Sequence, residues 1–80
     1  MIFLIEYDRS AGRIVTFEIF DDSDQRRAED SRLELELALN RRLADHEVVL
    51  LQASSEHALR QTHRRYFETP SEIVGSTSNG

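Results

Sequence analysis

The sequence predicts an α+β domain of β-β-α-β-α order. The expected form is a two-layer sandwich: a three-stranded antiparallel sheet, order 2-1-3, with two helices on one face. This is a split β-α-β, ferredoxin-like arrangement without a fourth strand. Three observations lead there. Two apolar runs flank a short glycine-containing turn near the start. A stretch rich in Leu, Glu, Ala and Arg follows. A third apolar run then precedes a serine-led, helix-forming segment. Short connections and right-handed crossovers favour the first strand in the centre, antiparallel to both neighbours.

Each element has its own grounds. Ile2 to Tyr7 is apolar on both alternating sets, which suits a strand covered on both faces. Asp8 to Arg13 is turn chemistry, with Gly12 able to take positive φ. Ile14 to Phe20 alternates, with Val15, Phe17 and Ile19 as the clean apolar set and Ile14, Thr16, Glu18 and Phe20 as the mixed one. The two runs read as a hairpin.

Asp21, Asp22, Ser23 and Asp24 suit a helix N-terminus, because their oxygens accept from free amides and their charge complements the dipole. The helix is predicted from about Asp24 to about Ala44, ending on Arg41 and Arg42. Leu33 to Leu37 alternates with period two, as a strand would. From Gln25 to Ala44, however, there is no Val, Ile, Thr or aromatic residue, and the composition favours helix. On that helix Ala28, Leu35, Leu39 and Leu43 share one stripe. Leu33, Leu37 and Ala44 lie nearly opposite. A surface helix normally has one apolar stripe; two stripes predict cover on two sides.

His46 to Ala53 carries Val48, Val49, Leu50 and Leu51 in succession and reads as a third strand. Ser54 or Ser55 caps a second helix running to about Phe67 or Glu68. Ser55, Leu59, Thr62 and Tyr66 define its inward face, flanked by Ala58 and His63. Pro70 marks its stop. One domain is thus expected over residues 1–68, with a flexible C-terminal tail over 69–80 that is mostly small and polar.

Eighty residues make one small domain, which buries roughly 60% of the surface its unfolded chain exposes. No cysteine is present, so disulfides and thiolate zinc sites are excluded. No apolar run approaches the roughly 18 residues of a membrane span. The opening Met1-Ile2-Phe3-Leu4-Ile5 lacks the cationic region of a secretory signal. The expected location is the cytoplasm, with no membrane partner.

Charge is unevenly distributed. His57 to Phe67 holds Arg60, Arg64 and Arg65 and no acid, so it contributes +3, and the remainder must supply −8 to reach the net −5. All ten cations are arginine. Arginine's planar fork suits carboxylates and phosphates. His57, Arg60 and Arg64 share a stripe away from the predicted core, with Arg65 on the other flank. They form a candidate anion- or partner-binding surface, for an acidic protein segment or for nucleic acid. The alternative is internal neutralisation by Glu29, Asp30, Glu34 and Glu36 of the first helix, and by Glu56 and Glu68 at i,i+4 spacing. An acidic chain overall argues against general nucleic-acid binding.

Catalytic signals are weak. His46, His57 and His63 are the histidines; the last two lie about 120° apart on a helix, too far for a metal pair. His63 beside the apolar face reads as a packed side chain. Neither a Gly-x-Ser-x-Gly nor a phosphate-cradling glycine loop occurs. No catalytic residue, metal ligand or cofactor is assigned.

With both helices on one face, the other sheet face would be an open apolar patch, and such patches usually mark interfaces. The sequence therefore points to a non-enzymatic interaction module, expected to form a homodimer through that face, a sheet edge, or the Leu33/Leu37 stripe. A regulatory nucleic-acid- or anion-binding protein is the alternative. A small enzyme with a histidine site ranks third.

Overall fold

The computed structural model describes residues 1–67. The predicted tail, Glu68 and the Pro70 stop lie outside the described residues. The elements, in order, are β1 (Ile2–Asp8), β2 (Arg13–Phe20), a 3-10 turn (Asp22–Asp24), α1 (Gln25–Arg42), β3 (His46–Gln52), α2 (Glu56–Thr62) and a second 3-10 turn (Arg64–Tyr66). The sheet is antiparallel in the order β2-β1-β3, as the sequence predicts. β2 and β3 thus run parallel to each other with β1 between them, and α1 makes the crossover of a split β-α-β unit.

β1 is buried from Ile2 to Tyr7. Its alternation assigns the helices to faces. Ile2 and Leu4 pack with Phe20 and Ala28 of α1, joined by Val48 and Leu50. Phe3, Ile5 and Tyr7 pack with Leu59 of α2 and Tyr66, joined by Ile14, Phe17, Val49 and Leu51. Successive strand residues point to opposite faces. The helices therefore lie on opposite faces, which corrects the expectation of two helices on one face of a two-layer sandwich. The physical reason is β1 itself: with two apolar faces, it loses least apolar surface to water when each face has its own helix. Among the described residues each sheet face therefore carries a helix, although Ile19, beside Phe3 on the α2 face, stays exposed. The fully buried Phe3, Leu4, Ile5 and Leu59 each contribute about 1.5–3 kcal/mol through burial.

Aromatic rings fill the α2 side. Tyr7 and Tyr66 meet edge to face at 5.3 Å between centroids, and Phe17 meets Phe67 similarly at 6.0 Å. Such pairs favour this geometry because the ring edge is positive and the face negative.

A β-bulge departs from the expected alternation of β2. Glu6 pairs with Thr16, but Tyr7 pairs with Ile14, so Val15 stands outside the register. Ile14 consequently joins the Phe17 side, and Val15 is 51% exposed. The bulge thus removes Val15 from the clean apolar set.

α1 ends in a Schellman motif. The Ala44 N–H donates to the Leu39 carbonyl and the Leu43 N–H to that of Asn40, both at 3.2 Å. The motif requires a left-handed residue, and Leu43 supplies it at φ 53°, ψ 36°. Leu43 accordingly leaves the inward stripe that helical periodicity gave it and is 91% exposed. At the other end no aspartate side chain caps α1; the 3-10 turn tightens its entry instead.

Candidate functional site

Three regions carry the chemistry of this chain. The first is the basic segment singled out by the sequence. Ser55 caps α2, its hydroxyl accepting from the Ala58 N–H at 3.1 Å. Leu59 and Tyr66 are buried as expected, and His63 is half-buried with its ring 6.4 Å from that of Tyr66. Thr62, expected inward, is exposed, its hydroxyl turned back to the Ala58 and Leu59 carbonyls. Such back-bonding competes with helix continuation. At His63 the backbone leaves the helical region, so the single helix expected to reach Phe67 divides into α2 and a 3-10 turn. The helical spacing that set Arg64 on the stripe of His57 and Arg60 therefore stops applying.

His57, Arg60, Arg64 and Arg65 are all exposed. Arg60 donates to Glu56 at 3.1 Å, and its guanidinium lies 4.5 Å over the Phe67 ring. His57 meets the Gln61 amide at 3.2 Å. Arg65 donates to Glu47 of β3 at 2.6 Å and covers its neighbour Tyr66 at 4.2 Å. Internal neutralisation thus operates for Arg60 through Glu56, the i,i+4 partner the spacing predicts, and for Arg65 through Glu47, which the sequence did not suggest. For these two arginines the acids of α1 are not the partners, because α1 and α2 pack on opposite faces of the sheet.

The second region is a polar cluster at the end of the sheet where β1 finishes and β3 begins. Glu6 is only 3% exposed. Thr16 of β2 donates to one of its carboxylate oxygens at 2.7 Å, and Nδ1 of His46 from β3 lies 2.5 Å from the other. Nε2 of His46 stands 3.5 Å from Asp8. Burial pushes the Glu6 carboxyl up, but the hydrogen bonds from Thr16 and His46 and the charges of His46 and Arg42 outweigh it and hold the group below its ordinary value. Asp8 is likewise held low, first by the Ser10 hydroxyl at 2.7 Å and then by the Ala11 amide. These bonds close the hairpin turn, where Gly12 takes φ 67°.

On the opposite sheet face, Glu47 accepts from the Tyr66 hydroxyl and from Arg65, with Arg9 at 3.7 Å. The Tyr66 bond is the main cause that lowers the Glu47 carboxyl. Burial, and then that same bond, raise the Tyr66 phenol. Among the described residues no group of histidines and carboxylates is arranged to hold a metal ion.

Sequence reading missed both clusters, because Glu6 and His46 stand forty residues apart and only the β1–β3 register, Asp8 opposite His46, unites them. One signal was present. Glu6 is the lone acid within the apolar run from Ile2 to Tyr7, and a buried charge needs a partner.

The third region is the outer face of α1. Ala28 and Leu39 are buried beneath the helix, whereas Leu33 is 54% and Leu37 48% exposed. Both leucines lie on the side predicted from spacing. Glu29, Asp30, Asn40 and Arg41 around them are exposed. Among the described residues no helix is long and apolar enough to cross a membrane.

The chain matches no family model, no curated protein and no solved structure.

Proposed function

We propose that this chain is a small non-enzymatic protein-interaction module that self-associates by docking the outer face of α1. The observation that carries this reading is the Leu33/Leu37 pair, one helical turn apart and about half-exposed while the opposite stripe of the same helix is already buried. Apolar surface left in water next to a completed core favours association. The non-enzymatic part is supported by His46, whose two ring nitrogens face Glu6 and Asp8. A general base would turn one of them toward a substrate.

The competing reading is anion or nucleic-acid binding by His57, Arg60, Arg64 and Arg65. It has less support, because Arg60 and Arg65 already face Glu56 and Glu47.

Sedimentation equilibrium at about 100 µM tests the proposal, in the concentration range where a small interface associates. The expected result is a mass above that of the monomer, returning to the monomer in Leu37→Glu with an unchanged circular-dichroism spectrum. A parent chain that sediments as a monomer at that concentration removes the reading.

A further inference from the structure

We infer that the partner on the α1 face is a second copy laid antiparallel, related by a two-fold axis at the level of Leu35. This rests on the reading that the Leu33/Leu37 stripe is the docking face, and it adds a specific geometry. The face is self-complementary. An isologous interface must match its own pattern after a two-fold rotation. The apolar part does so simply: Leu33 of one copy falls opposite Leu37 of the other, with the axis midway between them.

The same axis also fixes the polar rim: Glu34 and Glu36, about 80° from the stripe centre, fall opposite their own copies at its outer edge, where Arg32 answers Glu36 at 3.9 Å, and the closer positions are complementary. At about 1.5 Å per residue, Asp30 lies about 7.5 Å on one side of the Leu35 level and Arg41 about 9 Å on the other. Both sit on the same flank of the leucine stripe, within about 60° of its centre. A two-fold rotation of an antiparallel pair brings like flanks together, so Asp30 meets Arg41 of the other copy, twice. On the opposite flank Glu29 and Asn40 are placed by the same rule and meet as carboxylate acceptor and amide donor. All four side chains are exposed. Two independent rim pairs thus share the centre that the leucines define. A parallel two-fold pair would instead bring unlike flanks together at one level, setting Asp30 against Glu29 of the other copy, acid against acid and twice over, and leaving Arg41 beside Asn40. Charge arranged in this way selects orientation more than it adds affinity.

The test uses the absence of native cysteine among residues 1–80. Leu33→Cys protein is mixed with isotope-labelled Leu37→Cys protein at about 100 µM under oxidised glutathione, a concentration suited to a small interface. Linked species are then read by mass spectrometry. The antiparallel pair predicts that the mixed disulfide exceeds the two like-with-like disulfides together by roughly five-fold, since only unlike positions come level and disulfide geometry is strict. A second arm compares Asp30→Arg, Arg41→Asp and the double exchange by sedimentation. Each single change is expected to weaken association several-fold, and the double exchange to restore it. Like-with-like disulfides in excess, or no restoration in a chain that still dimerises, overturns the geometry while leaving self-association standing. A parent chain that is monomeric by sedimentation overturns both.

Discussion

Glu6 concentrates the physical chemistry of the sheet in one side chain. It stands in the middle strand and is held from both sides, by Thr16 on β2 and His46 on β3. A carboxylate removed from water is tolerated only when such partners replace its hydration. Because its folded-state value lies below the ordinary 4.5, the unfolded chain takes up a proton first as pH falls. The stabilisation from Glu6 is therefore fully present above about pH 4.5 and is lost as pH drops through the lower folded value. Asp8 and Glu47 are lowered too and act with the same sign. Glu6→Gln is expected to lose about 1–3 kcal/mol at pH 7, the usual effect of disturbing a buried polar partner. It should also show a shallower loss of stability toward acid. Urea midpoints from pH 7 down to pH 3 check this. An acid profile as steep as that of the parent would assign the effect to other carboxylates.

At the scale of elements, α1 shows how far periodicity reads and where it stops. Its extent, its buried Ala28 and Leu39 and its exposed Leu33 and Leu37 all follow from the spacing of apolar residues. Leu43 does not, because it lies past the last helical residue, in a left-handed conformation that helical spacing cannot foresee. Leucine has no steric reason to be there; the left-handed region disfavours any residue with a β-carbon by about 1–2 kcal/mol. Leu43→Gly is accordingly expected to raise stability by about 0.5–1 kcal/mol, the relief of strain exceeding the added freedom of the unfolded chain. Chemical denaturation decides it, and a loss of stability would mean that the leucine side chain is held by a contact. α2 has the complementary lesson. Its cap and inward Leu59 and Tyr66 were legible, but the turn at His63 was not, since it depends on how the Thr62 hydroxyl competes for backbone carbonyls.

For the whole molecule, the sequence made the sheet order legible because short connections leave few alternatives for two hairpin strands and one crossover. It also made β1's double-sided burial legible. The placement of the helices on opposite faces was implied by that same burial, whereas element order and connection length alone do not fix which face each helix covers. The polar clusters could not be read, because strand register joins residues distant in the chain. A domain of this size has a narrow margin of stability, and the proposed self-association would add to it by mass action. The melting temperature of the parent chain should therefore rise between about 5 and 200 µM, while that of Leu37→Glu stays constant. Differential scanning fluorimetry over that range reads it, and a flat parent curve would show that pairing adds nothing to the fold.

The bulge at Val15 has a bearing on solubility. β2 is an edge strand of the described sheet, and an even edge offers regularly spaced donors and acceptors to any extended chain nearby. The extra residue at Val15 breaks that spacing and strengthens the local twist. Growth by strand addition, which has no natural end, is thereby discouraged on that side. The proposed pairing on α1 uses a surface that is spent once two copies meet. The irregularity thus helps keep assembly finite in a protein whose centre is one strand of almost continuous apolar residues.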